Sequence, residues 1–272
     1  MSDNAEYKKV EETKDSYTKQ LYWNMAIGLQ QVDGLTPSIY LKELVNKNIL
    51  GEITNYEVEE LLQTYYKTQD LSNIKISNEK ECDLVSTRIV ELLNDNSFSL
   101  RPIILQSIHE YLFKGIYDFA GKYRTYNITK EEPILKDDTV IYADYNDIER
   151  TFEYDFKEEM KYDYSKLTLR EQIEHIATFT SSIWQVHPFG EGNTRTVAVM
   201  IEKYLRSLGY NVKNDLFKEN SLYFRNALVR SNYSNRAKNI YPTNEYLIKF
   251  FENLLNIGTN ELSNKDLFVE NN

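Results

Sequence analysis

The chain has 272 residues with 42 acidic and 32 basic side chains, and its formal charge of −10 argues against nonspecific binding to nucleic acid or to an anionic membrane surface. A composition of 41% hydrophobic and 27% charged residues is that of a globular chain rather than a disordered one. Cys82, the one cysteine, excludes an internal disulfide and a cysteine-built metal site, and 9 Gly with 5 Pro are too few for the recurring turns of an all-β sandwich or barrel. No apolar run approaches the length needed to cross a bilayer and the start is acidic, so a cytoplasmic protein is expected, with no membrane or nucleic-acid partner.

In chain order, residues 1–20 are charged, lack apolar periodicity and read as a mobile lead-in. Residues 21–66 read as an N-terminal helical module. Thr36-Pro37-Ser38 starts one helix, with Tyr40, Leu41, Leu44 and Val45 on one face, and the stretch Asn48 to Gly51 breaks it. Thr54 and Glu57 form a capping box for the next helix, which carries Val58, Leu61, Leu62 and Tyr65. A polar linker is expected over 67–78, a main domain over 79–257 and a polar, weakly ordered tail over 258–272. Inside the main domain, Ile104, Leu105, Ile108, Leu112 and Phe113 recur at helical spacing. Residues 122–145 differ: short β-prone pieces around Lys136-Asp-Asp138 predict a small hairpin or flap between helices. The fold class expected is mainly α.

The stretch from Ser182 to Thr196 carries the chemistry. Ile173, Ile176, Ala177, Thr180, Ile183 and Trp184 define an amphipathic helix; His187 continues its face, and Pro188 disfavours further helix there. Val197, Met200, Ile201, Tyr204 and Leu205 define a second core helix that begins near Thr194. Gly190 and Gly192 in the connection let backbone approach a ligand, and the N-terminus of the second helix suits a phosphate. Arg195 lies in that first turn, where its planar fork fits phosphate oxygens. Glu191 is an anion in an anion-binding loop, a conflict that a bridging Mg²⁺ resolves. His187 then stands close enough to take a proton from an attacking hydroxyl. The plain alternative is a loop in which Glu191 and Arg195 form a surface ion pair. Phe189 reads as an apolar anchor under the loop, and His109 and His175 read as structural.

The run His187-Pro-Phe-Gly-Glu191-Gly-Asn193-Thr-Arg195 resembles the Fic (Fic/Doc) family signature H-x-F-x-[D/E]-G-N-G-R-x-x-R. Upstream, the segment from Ile108 to Arg124, with Gly121-Lys-Tyr-Arg124 at its end, is similar to the helix and turn before the flap of Fic domains. The resemblance implies a helical core with a β-hairpin flap at 133–143, and transfer of AMP from ATP to a Tyr, Thr or Ser hydroxyl of a target protein. It implies His187 as base and Glu191 as ligand of Mg²⁺. Gly192, Asn193, Thr194 and Arg195 fall at the phosphates, and Tyr223 falls toward the nucleotide base or, equally, is a core aromatic. Ile134, Val140, Ile141 and Tyr142 fall on the target-binding flap, where an extended target segment adds as a strand.

Two positions depart from the signature: Thr194 replaces a glycine and Ala198 a second arginine. They keep two alternatives open, a Doc-like phosphotransferase and a catalytically idle Fic-fold binding module. Many Fic proteins carry an inhibitory [S/T]-x-x-x-E-[G/N] helix whose glutamate pairs with that second arginine. The nearest trace here runs from Asn46 to Gly51, with Leu50 in the glutamate position. Both halves of that ion pair are then missing, so residues 21–66 are expected to be a degenerate antitoxin-like module that packs without gating, or a plain stabilising helical pair. The target, the physiological nucleotide and the oligomeric state are left open.

Overall fold

The structure, a computed structural model, describes residues 15–269. Ten α-helices and one two-stranded antiparallel sheet make up its regular elements, together with short 3-10 turns. The mainly α class follows from long apolar stripes punctuated by caps. Helix α7 (Leu169–Val186) shows how: Thr168 and Glu171 form a capping box, and the buried Ile173, Ile176, Ala177, Thr180, Ile183 and Trp184 form its inner face.

The expected lead-in lies outside the described residues as far as residue 14, and helix α1 (Ser16–Gln30) starts on an Asp15 cap, earlier than residue 21. Helices α2 (Ile39–Ile49) and α3 (Asn55–Tyr66) follow, with the caps expected at Ser38 and at Thr54 with Glu57. Helix α4 (Ile74–Asn94) begins inside the stretch expected to be linker. Its buried Asp83 accepts from Ser38 N at 3.0 Å and Tyr66 Oη at 2.7 Å, pinning the start of α2 and the end of α3 to α4. Cys82, beside it, is a buried thiol.

The N-terminal helices share one apolar core with the rest. Helix α1 packs along α4 and along α9 (Phe217–Asn232). At Gly28 the approach is so close that a Cβ would stand 2.4 Å from Phe217 O, so only glycine allows this crossing. Helices α5 (Ile103–Phe113) and α8 (Asn193–Ser207) pack together under the signature loop, α6 (Ile148–Glu159) lies on α7, and α10 (Glu245–Leu254) covers α9 and α7.

The flap is displaced from its expected span. Strands β1 (Glu131–Glu132) and β2 (Asp138–Thr139) pair Glu131 with Thr139 and Glu132 with Asp138, while Pro133–Leu135 forms a 3-10 turn. Ile134, Leu135 and Val140 are drawn into the core instead of lining a ladder. The tail differs as well. Leu267 and Val269 are buried and Val269 N donates to Ile134 O at 2.9 Å, so the tail packs against the flap rather than hanging loose.

Candidate functional site

His187 caps α7 in the left-handed conformation, φ 48° and ψ 59°, which is rare for a residue with a side chain. Its backbone N–H donates to Trp184 O at 3.1 Å, and ring Nδ1 lies 3.2 Å from the same carbonyl. Nδ1 is therefore the protonated nitrogen of the neutral ring, and Nε2 keeps its lone pair. The ring lies against Tyr142 at 4.2 Å and edge-on to Trp184 at 5.0 Å. Burial pushes its pKa down to about 3, with Lys130, Arg225 and Arg124 acting in the same direction against the Trp184 carbonyl.

The loop after His187 is held from beneath. Asn193 Oδ1 accepts from Phe189 N at 3.0 Å and its Nδ2 donates to Phe189 O at 2.9 Å, so this side chain closes the loop on itself. Phe189 is buried and stacks on His109 at 3.7 Å. His109 Nδ1 accepts from Gly121 N at 2.9 Å, which leaves Nε2–H to donate to Glu191 O at 3.0 Å. Burial holds His109 down to about 4. It is thus a strut for the loop, a role that its apolar helical setting did not suggest. The pertinent signal was its place in the segment ending at Arg124. His175 remains structural, paired with Glu159 at 2.6 Å and stacked on Tyr162.

Gly192 has φ 77°, and a Cβ there would lie 2.4 Å from the Phe113 ring. The glycine is needed for packing on α5, where sequence suggested an approach to ligand. As the cap of α8 it offers no side chain to the first-turn N–H groups, which stay open at the loop. Glu191 Oε1 accepts from Gly192 N at 2.8 Å, and its other oxygen accepts no bond among the described residues.

Three expected nucleotide contacts are placed elsewhere. Thr194 Oγ1 accepts from the buried Trp184 Nε1 at 2.9 Å, so its hydroxyl faces α7 rather than the loop mouth. Arg195 is fully buried: Nη1 donates to Gln30 Oε1 at 3.0 Å, Nε lies 2.9 Å from Asp33 and Nη2 lies 2.8 Å from Glu81. Its guanidinium also covers the Phe113 ring at 4.8 Å. Tyr223 is packed in the core of α9 against Phe250, with its hydroxyl 3.3 Å from Tyr246 O, because its helical position points at α10. Of the four flap residues expected to bind the target, Ile134, Val140 and Tyr142 are buried anchors, and Ile141 is turned outward, 80% exposed.

The trace expected at Leu50 is also corrected. Leu50 ends α2 with its side chain 71% exposed, whereas Ala198 is buried in α8, so the two do not face each other. The acidic groups that reach the signature are Asp33, in the turn after α1, and Glu81 on α4. Burial holds the Asp33 carboxyl above its usual range, opposed by Arg195 and reinforced by Glu191.

Residues 99–205 match the Fic/DOC family model. A search of curated proteins finds no match. Among solved structures, the N-terminal FIC domain of Bep8, a VirB-translocated effector protein from Bartonella sp. 1-1C, is 18% identical with a TM-score of 0.52, over 63% of this chain and 81% of that one. BepA, a type IV secretion system effector protein, is 19% identical with a TM-score of 0.51, over 68% of this chain and 62% of that one. At these identities the likeness is one of fold. No helix among the described residues is long and apolar enough to cross a membrane. The signature loop lies within the matched span, with α7 and all but the last two residues of α8, and residues 99–205 of this chain match a Fic/DOC-family domain.

Proposed function

We propose that the domain transfers the AMP part of ATP to a hydroxyl side chain of a target protein, with His187 as general base. One observation carries this reading: a neutral imidazole of fixed tautomer, its Nε2 lone pair uncommitted, stands at the loop that leads into the uncapped start of α8. The target oxygen attacks the α-phosphorus, its proton passes to His187 Nε2, and the bond to pyrophosphate breaks. The N–H groups at the start of α8 receive the phosphate charge, so that positioning and electrostatics supply the catalysis. A pKa near 3 makes His187 by itself a weak base. Burial is the main cause; polyphosphate charge arriving beside Lys130, Arg225 and Arg124 would offset the smaller part that these cations add and so raise the basicity of the ring.

The free Glu191 oxygen fits Mg²⁺, which takes one or two protein carboxylates and completes its shell with phosphate oxygens and water. When bound there, the ion would neutralise charge on the transferred and leaving phosphates. The outward Ile141, whose carbonyl accepts from Gln185 Nε2 at 3.0 Å, is the flap residue offered to a target segment.

A domain that does not turn over in this state is favoured by one observation. Arg195 is committed to Asp33 and Glu81 and residue 198 is alanine, so neither arginine position of the signature presents a free cation. Intact mass of the protein and of candidate targets after incubation with ATP and Mg²⁺ separates the readings. An added AMP that is lost in His187→Ala, with a rate loss of about 10²–10⁴-fold, supports transfer. An added phosphate, or an active His187→Ala variant, refutes it.

A further inference from the structure

Arg124 lies outside the signature, in the turn that leads into the flap, and is 5% exposed. Its Nε donates to His187 O at 2.8 Å and its Nη2 to Val186 O at 3.2 Å, the last two carbonyls around the end of α7. Nη1 donates to Tyr126 O at 2.8 Å, and Nη2 also donates to Ala143 O. Its backbone N–H donates to Pro188 O at 2.8 Å. Every acceptor is a main-chain carbonyl, and no carboxylate is paired with it among the described residues.

A cation at the end of a helix is an ordinary cap, and one or two of these bonds would satisfy that role. The others need a different account. Tyr126 and Ala143 lie on the two arms of the flap, one before β1 and one after β2. His187 is in a left-handed conformation that is strained for a residue with a Cβ, so its surroundings must hold it there. Arg124 bonds the carbonyls before, at and after this residue, and the same guanidinium bonds both flap arms.

We propose that Arg124 is a positioning residue that fixes the His187 imidazole in its turn and locks that turn to both arms of the flap, so that base and docked target keep one geometry. The purpose of that geometry rests on the transferase reading; the lock itself does not. Other groups also bear on the imidazole: Lys130 from the flap arm and Arg225 from α9, the latter paired with the buried Glu132 at 2.7 Å, and the Tyr142 ring from the flap. Arg124 alone among them bonds the His187 backbone.

The chain has only three histidines, so their ring resonances can be assigned by single substitution and followed by NMR in Arg124→Gln, Arg124→Lys and the unsubstituted protein. In Arg124→Gln the titration of His187 should move up by about one pH unit or more, through loss of a nearby cation and release of the ring to water, while His109 and His175 stay put. Transfer should fall about 10²-fold, as for a misplaced catalytic group, with KM for the target raised and KM for ATP within a few-fold. Arg124→Lys should recover little of the rate, because one ammonium cannot span carbonyls on three segments. An unmoved His187 titration, full rescue by lysine, or all three histidines shifting together as in a general loss of fold would each overturn the proposal. The titration needs no nucleotide, so an unsubstituted protein without transfer activity would count against the transferase reading and not against the lock.

Discussion

Acid should destabilise this protein well above the range where its carboxylates titrate, through two histidines. An ordinary imidazole titrates near 6.5, but burial holds His109 to about 4 and His187 to about 3. Between those limits the unfolded chain binds protons that the folded chain refuses, so stability is complete above pH 6.5 and is lost as pH falls. At about pH 5 the gap is about 1.5 units, and at 1.36 kcal/mol per unit each histidine removes about 2 kcal/mol. The ceiling for the pair is about 4 kcal/mol, and the half-buried His187 contributes less than its full share. Buried acids such as Asp33, Asp83 and Glu202 are held above their range and act in the opposite direction. The test is therefore a difference between proteins: urea unfolding at about pH 7 and about pH 5 for the unsubstituted chain, His109→Gln and His187→Gln. Each variant should lose less stability on acidification than the unsubstituted chain, by about 1–2 kcal/mol. Equal losses in all three would refute the claim that these rings fold in the neutral form.

Two further outcomes follow from the signature helix. Asp33→Asn changes the formal charge of the Arg195, Asp33 and Glu81 cluster from −1 to 0, and should cost about 1–3 kcal/mol of stability while tightening ATP binding about tenfold. Unfolding and calorimetric binding check this, and an unchanged affinity would make Arg195 a strut with no part in nucleotide binding. Thr194→Val leaves the buried Trp184 N–H unpaired and should cost about 1–3 kcal/mol, whereas Thr194→Ser should cost little and neither should alter ATP affinity. A change in affinity with stability intact would show that this side chain faces the nucleotide.

Helices α7 and α8 were legible because their apolar residues recur densely at three and four. The position of His187 at a helix end followed from the same stripe and from Pro188. Burial direction was harder to read. Ile134, Leu135 and Val140 have β propensity, yet the core on one side and Val269 on the other decide their conformation. The resemblance put Tyr223 toward the nucleotide base or in the core, and its place on α9 points it at Phe250 in the core. Thr194 and Arg195 were expected at the phosphates because they open the helix that follows the loop. Residues at the first turn of a helix project around its whole circumference, and here those two project toward Trp184 and toward Asp33.

The N-terminal helices are therefore tied to the site through a route that the sequence reading did not contain. That reading had them pack on the core without touching the signature by a charge pair. Instead Gln30 at the end of α1 and Asp33 in the turn beyond it supply two of the three polar partners of Arg195, and Glu81 on α4 supplies the third. Glu81 is in turn held by Tyr117 Oη at 2.6 Å, within the segment that leads to Arg124. A guanidinium that stays buried cannot give up these partners without leaving an unpaired charge out of water, so Arg195 and the end of α1 are coupled. Any event that draws Arg195 toward a phosphate must therefore also release the turn at Asp33 from the signature helix. The crossing at Gly28, where α1 lies directly on the Phe217 backbone, leaves little freedom for α1 to shift as a body, so such a release would be confined to the turn Gln31–Asp33 and the glycine that follows it.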